Sequence, residues 1–247
     1  MSLELLVLTV DDVLFQSADL TLNELLDASK HDAERNTLLW LGEGKMDCET
    51  YYGMWKIARS VRGEAARTHF ETFLRAYESA FIAVCSRRRA QIHEQASGLM
   101  YAAERNGVRL ALASVLSSRA VHALMENVGG MEWADRFAVV ASADALGPHE
   151  GEAELFRLVL RTAEVPAHRS ALVTANESSR ETALGIGMHA VCVPDGIVGP
   201  FSVAVDSDQR ANAGGAWPTM SDLEALSDAE DELRKVRDCL AVSRAIG

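Results

Sequence analysis

The chain has 247 residues, 48% of them hydrophobic and 24% charged, with a net charge of −12 and a sequence pI near 5.0. It is long enough to bury a full core, as one domain or as a domain with an insertion. Its acidic balance excludes nucleic acid and anionic membrane surfaces as default partners.

The first element is "LELLVLTV", Leu3 to Val10, an apolar run suited to a strand buried on both faces. It carries no basic n-region and is cut short by Asp11 and Asp12, and no run of about 18 apolar residues follows elsewhere. Neither a signal peptide nor a membrane span is expected. Cys48, Cys85, Cys192 and Cys239 form no C-x-x-C pair. They read as reduced thiols, which places the protein in the cytoplasm.

Residues 17–93 are rich in helix formers, with apolar patches at Leu22-Leu25-Leu26, Leu38-Leu39-Trp40 and Phe70-Phe73-Leu74-Tyr77. This is the pattern of a helical insertion after the first strand. Arg87 to Arg89 near its end are expected on a solvated face. Ile92, Leu99, Met100 and Ala103 mark a helix returning to the core.

From there strands and helices alternate. "VRLALAS" (Val108 to Ser114) follows the turn signal Asn106-Gly107, and "FAVVAS" (Phe137 to Ser142), "SALVTA" (Ser170 to Ala175) and "HAVCV" (His189 to Val193) repeat its character. Between them Val121, Leu124, Met125 and Val128 share one helical face, as do Leu155, Phe156, Val159, Leu160 and Ala163. The fold class is therefore α/β, a parallel sheet covered on both faces. At the C-terminus, two capping-box patterns (Ser221 to Glu224, Ser227 to Glu230) and a seven-residue spacing of Leu226, Leu233 and Leu240 predict a terminal helix. It packs on its own domain or forms a homodimer contact.

An α/β core with a helical insertion after its first strand resembles the haloacid dehalogenase superfamily, most of all its phosphoglycolate phosphatase and β-phosphoglucomutase-like branch. The resemblance runs from Leu3 to Leu226. Against the family's D-x-D-G-[TV]-L motif, "TVDDVLFQS" places Thr9 at the nucleophile, Asp11 at the general acid/base, Asp12 at the glycine and Gln16 at a later aspartate. Val13, Leu14 and Ser17 fit. "LALASVLSSRA" supplies Ser114 for the hydroxyl of the second motif. "SADALGPHEGEAELF" aligns with the third and puts Glu150, preceded by His149, at its lysine. "VTANESSRETALGIGMHAV" aligns with the fourth, with Ala175 at its aspartate and Gly187-Met188 retained.

The resemblance implies a Rossmann-like core of residues 1–16 and 94–220, a helical cap of residues 17–93, and a tail of residues 221–247. It also implies that the usual aspartyl-phosphate route is lost. A threonine hydroxyl needs an adjacent base before it attacks phosphorus. Mg²⁺ wants oxygen ligands, usually one or two carboxylates, and the ligand positions hold Thr9 and Ala175. At Glu150 an attraction becomes a repulsion of roughly 4 kcal/mol at 4 Å and an effective dielectric of about 20, unless Arg87–Arg89 or Arg119 offset it.

Two readings follow. In the first the chain is a degenerate family member without a cofactor, binding a small molecule or a protein partner between core and cap. In the second it is a hydrolase or phosphatase acting on a small phosphorylated metabolite. Its site is then rearranged around Asp11, Asp12, Ser114 and Glu177, the acids holding Mg²⁺. The seven histidines show no H-E-x-x-H spacing, and no G-x-S-x-G elbow, G-x-G-x-x-G or P-loop is present.

Overall fold

The computed structural model describes residues 3–10, 48–87, 92–129, 132–193 and 218–226. Asp11, Asp12, Gln16, Arg88, Arg89, Leu233, Leu240 and the Ser227–Glu230 pattern lie outside the described residues.

Five parallel strands form one sheet: β1 (Leu5–Thr9), β2 (Arg109–Ser114), β3 (Phe137–Ser142), β4 (Ser170–Thr174) and β5 (His189–Cys192), in the order β3-β2-β1-β4-β5. All five residues of β1 are buried, as a strand at the centre of a doubly covered sheet requires. Its alternation splits the core in two. Leu6, Leu8 and Val10 point to one face with Leu110, Leu112 and Val173. Leu5 and Val7 point to the other with Ala111, Ala113 and Leu172.

The first face is covered by α3 (Glu94–Arg105) and α4 (Ser118–Gly129), through Ala96, Leu99, Met100, Ala103, Val121, Leu124 and Met125. The second is covered by α5 (Glu152–Ala163) and α6 (Glu177–Gly185), through Leu155, Phe156, Val159, Leu160 and Ala183. These are the apolar stripes expected from the sequence. Full burial of a Leu or Phe stabilises by about 1.5–3 kcal/mol each.

The insertion contributes α1 (Cys48–Ser60) and α2 (Glu64–Arg87). Tyr51, Trp55, Phe73, Ala76 and Tyr77 from these helices join the same apolar cluster as Leu6, Leu8, Val115 and Leu116. The helical insertion is thus seated on the core through a continuous apolar contact. No helix among the described residues is long and apolar enough to cross a membrane.

Helix ends follow the chain's own signals. After α3, Val108 N–H donates to Ala103 O at 2.9 Å and Gly107 N–H to Glu104 O at 3.1 Å, with Gly107 at φ +72°. After α6, Met188 N–H reaches Ala183 O at 3.1 Å with Gly187 at φ +87°. Both are Schellman endings, in which glycine takes the left-handed position and the next apolar residue folds back. The Gly187-Met188 pair therefore has a structural cause.

One cap differs from the sequence expectation. Residues 220–226 are helical, but Ser221 lies inside the helix. The box is formed instead by Thr219 and Asp222: Thr219 N–H donates to Asp222 Oδ2 at 2.8 Å, and Asp222 N–H to Thr219 Oγ1 at 3.2 Å. A carboxylate three residues after the cap does the same work whether it is Asp or Glu, so the earlier threonine takes the role.

Candidate active-site cleft at the strand ends

In this strand order the connections run outward from β1 to β3, then return to β4 on the opposite side of β1. That reversal opens a crevice at the C-terminal ends of β1 and β4, the place where open α/β sheets bind ligands. Four of the strands end in a hydroxyl residue: Thr9, Ser114, Ser142 and Thr174, all buried.

Three of these hydroxyls shape the turns that leave the sheet. Ser114 Oγ accepts from Leu116 N–H at 3.1 Å, Ser142 Oγ donates to Asp144 Oδ1 at 2.6 Å, and Thr174 Oγ1 accepts from Asn176 N–H at 3.1 Å. Each bond spans two residues, the reach of a Ser/Thr turn. Thr9 Oγ1 instead crosses to the carbonyl of Val173 on β4, at 3.4 Å. Thr9 thus stands at the strand end predicted for it, directly beside the crevice.

The other positions singled out in the sequence fall on the same rim. Ala175 follows β4, half-buried, with its methyl group packed against the first apolar cluster. Glu177 begins α6 and is exposed, taking hydrogen bonds from Arg180 Nε at 2.8 and 2.9 Å. The Arg180 guanidinium holds its carboxyl below the usual range. It is a solvated acid at a helix start, and it is engaged by its own helix.

Glu150 is exposed, and its carboxylate turns back into its own loop. Gly147 N–H donates to Glu150 Oε2 at 2.7 Å, and Glu150 N–H donates to Gly147 O at 3.1 Å. A Cβ on Gly147 would stand 3.3 Å from Glu150 Cδ, so a side chain there would shift the Glu150 carboxylate slightly. His149 Nδ1 lies 3.4 Å from the carbonyl oxygen of Arg59.

Four further groups had gone unnoticed in the sequence, and all come from α1 and α2. Arg59 donates through Nη2 to Ala143 O at 2.9 Å and through Nη1 to Gly147 O and, at 3.3 Å, to Glu150 O. Its guanidinium also lies over the Trp55 ring, 5.2 Å from the centroid. Burial pulls its pKa down, while Glu71, Tyr51 and Glu150 oppose that shift. Lys56 Nζ donates to Ser178 Oγ at 2.8 Å.

Tyr52 donates to Glu152 Oε2 at 2.6 Å, and Ser179 Oγ donates to Glu152 Oε1 at 2.7 Å, so this buried carboxylate is held from both sides. Burial, followed by the Glu152 charge, pushes the Tyr52 hydroxyl well above its usual pKa. Glu78 accepts from Ser117 N–H, Ser117 Oγ and Tyr51 OH, each at 2.7 Å. Asp144 serves the neighbouring position, accepting from Ser118 N–H at 3.1 Å and Ser118 Oγ at 2.8 Å. Only one sequence signal existed for any of this: Tyr52, Lys56 and Arg59, at i, i+4 and i+7, share one helical face.

These contacts seat α1 and α2 directly over the turns that follow β2, β3 and β4. Among the described residues no cluster of three or more His, Cys, Asp or Glu side chains suits a metal ion. β1 ends in the Thr9 hydroxyl, and the residue after β4 is Ala175.

No family model matches the chain. Against curated proteins, it is 27% identical over 145 residues to protein CbbY of Cereibacter sphaeroides, a match covering 58% of this chain and 63% of that protein. The match thus spans under two thirds of its curated relative. Among solved structures, CbbY from Rhodobacter sphaeroides in complex with phosphate superposes with a TM-score of 0.56 at 24% identity, covering 78% of this chain and 86% of that one. The chain has a haloacid dehalogenase-like fold.

The superfamily fold extends over most of the chain. A structure described as a phosphoglycolate phosphatase from Lactobacillus plantarum covers 92% of it, with a TM-score of 0.56 at 16% identity.

Proposed function

We propose that this chain is a catalytically degenerate member of the haloacid dehalogenase superfamily and acts by binding a small ligand or a protein partner at the cleft between the strand ends and the helical insertion. One observation carries the reading. The crevice side of the sheet ends in Thr9 and Ala175, where the superfamily's chemistry calls for carboxylates, and Glu150 spends its carboxylate on Gly147 N–H. A threonine hydroxyl is a weaker nucleophile toward phosphorus than an ionised carboxylate. No cofactor belongs to this reading, and Mg²⁺ has no role in it. A cytoplasmic setting, the absence of nucleic-acid and membrane partners, and self-association through the C-terminal helix complete the proposal.

A second reading has its own support. CbbY has been crystallised with phosphate and, in mutant form, with xylulose-(1,5)bisphosphate. Its similarity to this chain favours a phosphatase acting on a small phosphorylated metabolite, with Asp11, Asp12 and Glu177 supplying acids beside Ser114 and holding Mg²⁺.

The test is hydrolysis of an aryl phosphate and a panel of sugar phosphates, with and without Mg²⁺, by the wild-type chain and by Asp11→Asn. Equal, Mg²⁺-indifferent background from both proteins is the expected result. Turnover that requires Mg²⁺ and disappears in the variant would establish the second reading.

A further inference from the structure

Five backbone N–H groups at the C-terminal end of the sheet donate to side-chain oxygens of the chain itself. In the turn after β2, Ser117 N–H donates to Glu78 Oε1 at 2.7 Å and Ser118 N–H to Asp144 at 3.1 Å. In the loop after β3, Gly147 N–H donates to Glu150 Oε2 at 2.7 Å. At the start of α6, Ser178 N–H and Ser179 N–H donate to Asn176 Oδ1 at 2.9 and 3.2 Å. Neighbouring hydroxyls are used in the same way: Ser117 Oγ donates to Glu78, and Ser118 Oγ and Ser142 Oγ both donate to Asp144.

Amides and hydroxyls gathered at a helix start are the donors that hold an anion. At α4 they hold two, and both belong to the chain. Glu78 is set in place by packing. It follows Tyr77 on α2, and Tyr77, Phe73, Tyr51 and Trp55 form a buried apolar seam that joins the insertion to the core. Tyr51, from the same seam, donates to Glu78 Oε1 at 2.7 Å. Moving the Glu78 backbone away would bring four large side chains into water, so its carboxylate is a fixed part of the rim. Asp144 belongs to the core itself, two residues past β3. The cations nearby are directed elsewhere: Arg59 to the carbonyls of Ala143, Gly147 and Glu150, Lys56 to Ser178 Oγ, and Arg180 to Glu177.

We propose that Glu78 and Asp144 determine specificity at this cleft: as built-in anions at the start of α4 they exclude phosphate and carboxylate groups, so the ligand is an uncharged or cationic small molecule. This deepens the degenerate reading and rests on it. An anion brought to these donors finds them engaged and lies close to two like charges, well inside the Debye length of about 8 Å.

Binding of inorganic phosphate tests the assignment, followed by its phosphorus NMR line width at constant ionic strength with EDTA present. Wild type is compared with Glu78→Ala, Asp144→Ala and the double variant. Each substitution frees an amide and a hydroxyl and removes one like charge. The wild type should show no saturable binding up to about 20 mM, and the double variant should bind at least about tenfold more tightly, with a dissociation constant of about 2 mM or below. Saturable binding by the wild type in that range would overturn the assignment, and so would a folded double variant that binds no better than wild type. Should the alanine variants fail to fold, Glu78→Gln combined with Asp144→Asn takes their place, keeping the side-chain shapes while removing both charges, and is read against the same thresholds. Phosphate binding by the wild type without turnover strikes this assignment alone. Mg²⁺-dependent turnover that disappears in Asp11→Asn strikes the degenerate reading beneath it.

Discussion

Tyr52 OH and Glu152 Oε2 lie 2.6 Å apart across 100 residues of sequence, one on the insertion and the other at the first turn of α5. Glu152 is buried, and its second oxygen is held by Ser179. Tyr52→Phe keeps the ring and removes the donor, leaving a buried carboxylate oxygen short of a partner. The expected loss is about 1–3 kcal/mol, read as a lower urea midpoint. An unchanged midpoint would mean that solvent reaches Glu152.

Glu164 is the one non-glycine residue with positive φ among the described residues, at +55°, where it ends α5. Val165 N–H donates to Leu160 O at 3.1 Å around it, so the ending is of the same Schellman type that glycine serves after α3 and α6. Glu164→Gly should raise stability by up to about 1 kcal/mol through relief of left-handed strain, after the entropy lost by glycine is subtracted. Thermal unfolding reads this, and a lower midpoint would contradict it.

Asp144 is pushed upward by partial burial, but hydrogen bonds from Ser142, then Ser118, outweigh that and set its pKa below the ordinary value. A carboxyl depressed in the folded state contributes stability that is present above its unfolded pKa, about 3.9, and is lost as pH falls through the folded value. Ser142→Ala should move the Asp144 titration upward, toward the unfolded value, in a carboxyl-detected NMR titration. The stability curve below about pH 4 should flatten accordingly.

Thr9→Asp tests whether one side chain restores the chemistry. Thr9 is buried and directs its hydroxyl at the Val173 carbonyl, so an aspartate there would place a carboxylate against an oxygen lone pair. A buried charge without a partner costs several kcal/mol. We expect lower stability in urea and no Mg²⁺-stimulated hydrolysis of aryl phosphate. A gain of turnover would show that the metal site survives despite Ala175.

The strands and core-facing helices were legible because burial imposes period: both faces of β1 and the stripes of α4 and α5 are written in consecutive or helically spaced apolar residues. The strand-end positions were legible by register, which placed Thr9, Ser114 and Ala175 on one rim. Glu150 was legible in place but not in direction. The expected repulsion toward a ligand gives way to a bond with Gly147 N–H three residues upstream, which no pattern rule anticipates. The partners of Glu78, Lys56 and Arg59 were hidden for a different reason. Each contact joins an insertion helix to a loop at least 39 residues away, and a polar residue on a helix looks the same whether it meets water or a carbonyl. Thr219 lost to Ser221 in the sequence because Asp222 was not weighed as the partner acid of a cap.

Of the five strands of this sheet, the first in chain order stands in the middle. Thr9 meets Val173 only when 164 further residues have been made, and β1 cannot be flanked on both sides before β4 emerges. Until then an apolar run of Leu5 to Leu8 waits with one hydrogen-bonding edge open. Folding is therefore governed by long-range pairing, slow by the standards of local helical contacts, and the half-made chain is exposed to association through that edge. The abundance of this protein in a cell should depend on how well the first strand is sheltered during synthesis.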